Sequence, residues 1–324
     1  MNGPSPFTND ITALGELLID FTETGLSANG NRLFEQNPGG APANLLVAAS
    51  RLGCRTAFIG KVGSDMHGAF LKEVLESSNV STKGLIEDPT VFTTLAFVAL
   101  SPLGEREFSF ARKPGADTCI KPDEVNYELI KSSRIFHFGS LSLTTEPARR
   151  STKEAIIAAK DNGTVVTYDP NYRASLWPCS ATAEKWMRSH IYSVDIMKVA
   201  DNEMQMVTGE NDVFKGAKKL NKLGVECVVV TLGADGAFVC VDGSCKTIKG
   251  WDVPVVDTTG AGDAFFGGFL SAFLKSGLAL QDIKCNDAAE FSIVGNAVAA
   301  LCIGKRGGIP GMPTQEEVDA LMES

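Results

Sequence analysis

The chain carries no block of basic residues. Thirty Lys and Arg stand against 39 Asp and Glu, for a net charge of −9. That balance disfavours nucleic acid or an anionic membrane surface as a main partner, and neither is expected. No C-x-x-C pair is present either. The eight cysteines (Cys54, Cys119, Cys179, Cys227, Cys240, Cys245, Cys285 and Cys302) are scattered through apolar segments, so no zinc clamp is expected and they read as reduced core thiols. The opening Met-Asn-Gly-Pro-Ser-Pro lacks the basic and apolar regions of a leader, and no stretch approaches about 18 uninterrupted apolar residues, which together predict a cytoplasmic protein. Two nucleotide motifs are missing as well. There is no G-x-x-x-x-G-K-[ST] run, and the first strand ends Gly15-Glu16-Leu17-Leu18-Ile19-Asp20 in place of a G-x-G-x-x-G turn, which disfavours a P-loop site and a dinucleotide-dependent dehydrogenase.

What is present is an ordinary globular composition, with 44% hydrophobic residues, 21% charged residues and 32 glycines. Strand-like runs at Ile11 to Phe21, Thr56 to Val62, Ile135 to Leu143, Thr164 to Asp169, Ile196 to Ala200 and Glu226 to Leu232 alternate with helical ones. The helical runs are Ala43 to Leu52, His67 to Ser77, Pro147 to Asn162 and Asp212 to Leu223. This alternation predicts an α/β fold with a mostly parallel sheet covered on both faces. Asn31 to Gln36 and Val91 to Ala111 are strand-like without an intervening helix, with a hairpin turn expected at Ser101-Pro102-Leu103-Gly104. They read as a small second sheet, a natural lid. Another hairpin is expected from Gly236 to Ile248 around Asp242-Gly243. No repeat, low-complexity tract or linker marks a second core, so one domain over residues 1–324 is expected.

The most informative stretch is Asp257-Thr258-Thr259-Gly260-Ala261-Gly262-Asp263-Ala264-Phe265. Two glycines allow a tight turn whose amides converge on an anion, and Ala264, Phe265, Phe269, Ala272 and Phe273 continue it as a helix. Unpaired first-turn amides and the dipole's positive end would face a bound phosphate. Asp263 in that first turn could be an ordinary dipole partner. A carboxylate beside an anion cradle also meets what phosphoryl transfer to an alcohol needs, a proton acceptor next to charge stabilisation.

A second glycine-rich helix start, Pro38-Gly39-Gly40-Ala41-Pro42-Ala43-Asn44, would alone read as a tight turn with proline in the first helical turn. Read together, Gly39 to Gly68 and Asp257 to Leu270 resemble the two signature regions of the ribokinase/PfkB carbohydrate kinase family, and the resemblance extends over essentially the whole chain. It implies a ribokinase-like three-layer fold with a small β-sheet lid, formed by segments near 22–38 and 89–117. The implied activity is transfer of the γ-phosphoryl group of ATP to a hydroxyl of a small sugar. Asp263 matches the family's catalytic base, and Gly260, Ala261 and Gly262 its anion hole. Asp20 matches the sugar-binding acid, with Gly39, Gly40 and Asn44 as further hydroxyl contacts; a turn acid at a strand end is the plain alternative for Asp20.

On the nucleotide side, Thr231-Leu232-Gly233-Ala234-Asp235-Gly236 resembles the family's turn around the ATP phosphates and ribose, contributing Thr231, Gly233 and Gly236. Lys198 and Asn296 are further ATP-side residues, although an exposed helical Asn, as Asn296 is expected to be, is otherwise unremarkable. Asp257, Thr259 and Gly307 resemble a monovalent-cation loop, usually for potassium. The family's N-x-x-E motif aligns with Ala200-Asp201-Asn202-Glu203, so Glu203 survives to organise Mg²⁺ through water while Ala200 replaces the motif's Asn. Relatives also pair lids, which implies a homodimer.

The sugar is read from Gly104-Glu105-Arg106-Glu107-Phe108, from Arg112 to Asp117, and from Asp169-Pro170-Asn171-Tyr172-Arg173 with Leu176-Trp177. These resemble the fructokinase branch. Arg112 is expected to project from the lid to the sugar, with Arg173 beside it; a lid-edge charge is the plain alternative for Arg112. Two arginines could instead pair with the carboxylate of 2-keto-3-deoxygluconate, the runner-up substrate; with fructose, which has no carboxylate, they would act as hydroxyl donors or partner protein acids such as Asp117 and Asp169. Ribose or nucleoside kinases, and a non-catalytic protein of the same fold, complete the alternatives.

Overall fold

The computed structural model describes residues 7–100 and 106–323. The expected turn at Ser101-Pro102-Leu103-Gly104, the branch residues Gly104 and Glu105, and the opening Met1 to Pro6 lie outside the described residues.

The strands run in chain order β1 (Asn9–Leu14), β2 (Leu18–Leu26), β3 (Arg32–Gly39), β4 (Thr56–Gly63), β5 (Val80–Asp88), β6 (Leu95–Leu100), β7 (Arg106–Ala111), β8 (Ser133–Gly139), β9 (Val165–Asp169), β10 (Ile196–Ala200), β11 (Cys227–Thr231), β12 (Ala237–Val241) and β13 (Ser244–Ile248). Nine form one sheet in the order β13-β12-β11-β10-β9-β8-β1-β4-β5, and four form a second in the order β3-β2-β6-β7. The large sheet is parallel from β5 to β11 and turns antiparallel at β12 and β13.

Strand composition explains why helices cover both faces. Val229 packs into one core and its neighbours Val228 and Val230 into the other, as period-two side chains must. The first core is built from the helices Ala41–Arg51, Ala261–Ser276 and Cys285–Ile303, and the second from Ala148–Asp161, Ser180–Arg188 and Val213–Lys222. Among the described residues, no helix is long and apolar enough to cross a membrane.

Three sequence expectations need correction, and one element was missed. The run Ile11 to Phe21 is two strands, not one, because the chain leaves the large sheet at Gly15-Glu16-Leu17 and enters the small one. β5 was not anticipated: it is an edge strand whose Ser81, Thr82 and Lys83 lack an apolar pattern. The run Ile135 to Leu143 ends as strand at Gly139 and continues as a 3₁₀ turn. The cysteines are not uniformly reduced core thiols. Cys240 and Cys245 oppose each other on the β12–β13 hairpin with Cα atoms 4.2 Å apart and are disulfide-bonded, while Cys179 is exposed.

Close approach of the Ala261–Ser276 helix to its neighbours depends on small residues. A Cβ at Gly268 would lie 2.8 Å from Val298 Cγ2 and 3.1 Å from the Gly295 Cα, and one at Gly267 would lie 2.7 Å from the Ala48 Cβ. Gly268→Leu is therefore expected to destabilise the protein by about 1–3 kcal/mol through overpacking. A urea-unfolding midpoint equal to the parent's would show that the helix pair can separate without cost.

Candidate active site

The turn after residue 256 is organised by Asp257. Its Oδ1 accepts from the Thr259 amide at 2.9 Å and the Thr259 hydroxyl at 2.8 Å, and its Oδ2 accepts from the Gly307 amide at 3.0 Å. The loop containing Lys305 to Gly308 is thereby tied to the helix start. Gly260 is the N-cap with φ 79°, a left-handed conformation that a side chain would strain. A Cβ there would also meet the Gly308 Cα at 3.0 Å. First-turn amides have no intrahelical acceptors, and this helix start lines a cavity of roughly 720 Å³.

Asp263 sits in that first turn and is buried. Its Oδ2 accepts from Asn44 Nδ2 at 2.8 Å and its Oδ1 from Asn171 Nδ2 at 3.1 Å. Burial, followed by the nearby Asp169 charge, pushes its carboxyl up to about 7, against the opposing pull of Asn44, Lys198 and Arg173. Asp169 holds Lys198 by an ion pair of 2.9 Å between two buried side chains. Burial alone would lower the Lys198 ammonium, but Asp169 and Glu203 together raise it. Lys198 lies directly against the glycine turn at the helix start, since a Cβ at Gly262 would sit 2.7 Å from its Nζ. Gly262 therefore makes room for a cation as well as for the turn.

Two cavities meet at this carboxylate. The larger is lined by Lys198, Glu203, Thr231, Gly233, Gly236 and Asn296, together with Ala261 and Gly262. The smaller, roughly 310 Å³, is lined by Asp20, Asn37, Gly40, Asn44, Asp257 and Gly307 among others. Asn171, Arg173, Thr258, Gly260 and Asp263 line both. The smaller cavity lies between the two sheets: Asp20 and Asn37 are cross-strand partners in the small one, and Val98 and Phe110 come from its β6 and β7. Among the described residues no donor contacts the Asp20 carboxylate. Burial raises it to about 6, with Arg173 opposing and Asp257 adding to the rise.

Two expected sugar contacts stand elsewhere. Arg112 does not line the smaller cavity. Its guanidinium is buried behind the wall, donating to Asp117 at 2.6 and 2.8 Å, to Thr144 Oγ1 at 3.0 Å and to the Leu141 carbonyl at 2.9 Å. Asp117, in turn, accepts from Thr94 at the base of the small sheet. The expected alternative of a protein acid as partner is met by Asp117 but not by Asp169, which pairs with Lys198. Gly39 is likewise no lining residue; it leaves room for Asp20, whose Oδ2 would be 2.4 Å from an added Cβ.

Glu203 reaches neither Lys198 nor Arg173 by hydrogen bond. It accepts from the Tyr172 amide at 2.5 Å and the Ala200 amide at 3.0 Å, and burial, followed by Asp169, raises its pKa. Asn296 is buried rather than exposed and donates to the Lys249 carbonyl at 3.1 Å. Sequence reasoning missed Asn171 as a contact of Asp263. Its signal was its place two residues after Asp169, whose Oδ1 accepts its amide at 3.1 Å.

Because Asp263 is held protonated more readily in the fold than in the unfolded chain, its stabilising contribution is present below about pH 4 and is lost as pH rises through about 7. Asp263→Asn cannot ionise. Its new amide faces one of the two carboxamide donors at a pH-independent cost, so the expected signature is the pH dependence: relative to the parent, its stability should rise by about 2–4 kcal/mol between about pH 4 and pH 8. A stability difference that does not change with pH over that range would refute the raised pKa.

Comparison with known proteins agrees with this geometry. The family model described as pfkB family carbohydrate kinase matches residues 8–315. A relative from Arabidopsis thaliana, "Probable fructokinase-6, chloroplastic", is 41% identical over 320 residues, covering 97% of this chain and 83% of its own. A crystal structure of fructokinase with bound ATP from Xylella fastidiosa superposes with a TM-score of 0.84 at 31% identity, covering 97% of this chain and 98% of that one. A fructokinase double mutant from Vibrio cholerae O395, in its fructose-, ADP- and potassium-bound form, gives 0.86 at 31% identity over 96% and 97%. With its helix-start turn, its buried acid and its two abutting cavities, this chain belongs to the pfkB family of carbohydrate kinases.

Proposed function

We propose that this protein is an ATP-dependent fructokinase, built as one ribokinase-like domain whose small sheet acts as a lid. The observation that carries this reading is the meeting of two cavities at Asp263. A sugar hydroxyl in the smaller cavity and the γ-phosphate in the larger one would face each other across that carboxylate. Asp263 takes the hydroxyl proton, and the amides of Gly260, Ala261 and Gly262, with Lys198 and Arg173, meet the charge on the transferring phosphoryl group. Thr231, Gly233, Gly236 and Asn296 hold the rest of the nucleotide, and Asp20, Gly40, Asn44 and Asn37 hold the sugar.

Charge favours a neutral sugar over 2-keto-3-deoxygluconate. With Arg112 neutralised by Asp117, Arg173 is the basic side chain lining the smaller cavity, against Glu16, Asp20, Asp257 and Asp263. A substrate carboxylate would enter a site already rich in carboxylates. The fructokinase relatives and neighbours point the same way.

Mg²⁺ bound with the nucleotide would neutralise phosphate charge. The residues fit a water-mediated ion: Glu203 lines the larger cavity with both oxygens anchored by amides, and among the described residues no cluster of three or more His, Cys, Asp or Glu could hold a metal directly. Asp257, Thr259 and Gly307 are drawn into one turn, which suits potassium on main-chain oxygens of that loop. A homodimer paired through lids and a cytoplasmic location complete the reading.

The test is a coupled ADP-release screen over fructose, 2-keto-3-deoxygluconate, ribose, tagatose and nucleosides, with and without K⁺. Fructose is expected to give the highest kcat/KM and the keto acid none. Turnover of the keto acid without fructose would overturn the substrate while leaving the base in place. Asp263→Asn is expected to lose about 10²- to 10⁴-fold in kcat; a folded variant with parental turnover would remove Asp263 from its role. The free enzyme's kcat/KM should climb with pH and level off above about 7, where Asp263 is ionised.

A further inference from the structure

We infer that Asn171 is a positioning residue for the base, fixing the Asp263 carboxylate between the two cavities by a hydrogen bond that only its amide nitrogen can donate. The inference rests on the reading of Asp263 as the base and extends it to a residue that reading does not use. Asn171 Nδ2 lies 3.1 Å from Asp263 Oδ1, while Asn44 takes the opposite oxygen at 2.8 Å. The two carboxamides come from opposite sides of the chain's order, one from the Ala41–Arg51 helix and one from the loop after β9, so together they set both the position and the plane of the carboxylate.

The Asn171 backbone is prepared for this task. It is one of three non-glycine residues with positive φ among the described residues, at 45°, and its amide is tied to Asp169 Oδ1 at 3.1 Å. Asn tolerates this left-handed conformation better than most side chains. Asp169 is itself fixed by Lys198 at 2.9 Å, and the Tyr172 amide by Glu203 at 2.5 Å. The loop is therefore pinned on both sides of Asn171, at a point lining both cavities.

A donor to the carboxylate favours its ionised form, which is the form that accepts a proton. The charged and titratable groups around Asp263 pull in both directions: Asp169 from β9 disfavours ionisation, and Lys198 from β10 and Arg173 from the loop favour it. Cys302 from the Cys285–Ile303 helix is held up to about 12 by burial and, second, by the Asp263 charge. Removing the Asn171 amide tips that balance toward the protonated acid and frees the carboxylate to turn.

Two variants test this. Asn171→Gly keeps the left-handed backbone and removes the carboxamide; Asn171→Asp keeps the size and replaces the donor by a like charge. Both are expected to stay folded, with sugar and ATP KM within about threefold of the parent and kcat lowered by about 10- to 100-fold, the scale of a misplaced catalytic group. The acid limb of the kcat/KM profile should move to higher pH, further for Asn171→Asp than for Asn171→Gly. In an Asp263→Asn background, Asn171→Gly should cause no further loss, because the residue acts through the base.

Parental kcat and pH profile in Asn171→Gly, with Asp263→Asn inactive, would overturn this inference alone. A further loss in the Asp263→Asn background would also overturn it, by showing that Asn171 acts independently. Parental turnover in Asp263→Asn would overturn the base reading and this inference with it.

Discussion

The site depends on one constraint: a carboxylate has been placed where ionisation is costly. Asp263 is buried in the first turn of a helix, beside a second acid, and its pKa is driven up to about 7. In the role proposed for Asp263, a general base is most useful when its pKa lies near the working pH, so the destabilising placement would also set the group's strength. The surroundings make sense as responses to that placement. Asn44 and Asn171 supply donors, Lys198 and Arg173 supply positive charge, and the glycines of the turn let backbone and ammonium come close.

The fold delivers these groups from distant parts of the chain because parallel strands end on the same edge of the sheet. Asp169 ends β9, Lys198 lies midway along the short β10 and Thr231 ends β11, while the Ala261–Ser276 helix starts beside them. Ligand sites of open α/β sheets form outside these carboxyl ends. The small sheet covers one side of the smaller cavity, and the buried Arg112–Asp117 pair braces it against the body, tying Thr94 at the start of β6 to Thr144 and Leu141. Breaking such a pair would leave an uncompensated buried charge, so this junction has little tolerance for change.

This geometry also explains which parts could be read from residues alone. Periodicity exposed the βα alternation, and Gly260, Gly262 and Asp263 are contiguous, so turn, helix start and acid could be read from nine residues. Asp20, Gly40 and Asn44 entered through the family resemblance alone, and the structure brings all three to the smaller cavity. The place of Arg112 was not legible, because the choice between facing a sugar and facing Asp117 is made by side-chain direction across a loop. Asn171 was hidden for a related reason: its contact with Asp263 spans 92 residues, and its positive φ leaves no periodic trace. The junction at Gly15 was lost because two short strands in different sheets read as one apolar run.

The replacement of the family's Asn by Ala200 can be weighed on the same physical terms. Glu203 does not need a side chain at position 200 to stay in place, because its carboxylate accepts from the Ala200 backbone amide at 3.0 Å and from the Tyr172 amide at 2.5 Å. What the substitution removes is one polar group from the wall of the larger cavity, which Ala200 lines. A polar group facing a wet cavity can be replaced by water at small cost, whereas loss of an anchor for a buried carboxylate would strand a charge. The acid is therefore retained by the backbone, and the loss falls on a cavity-lining position that solvent can fill.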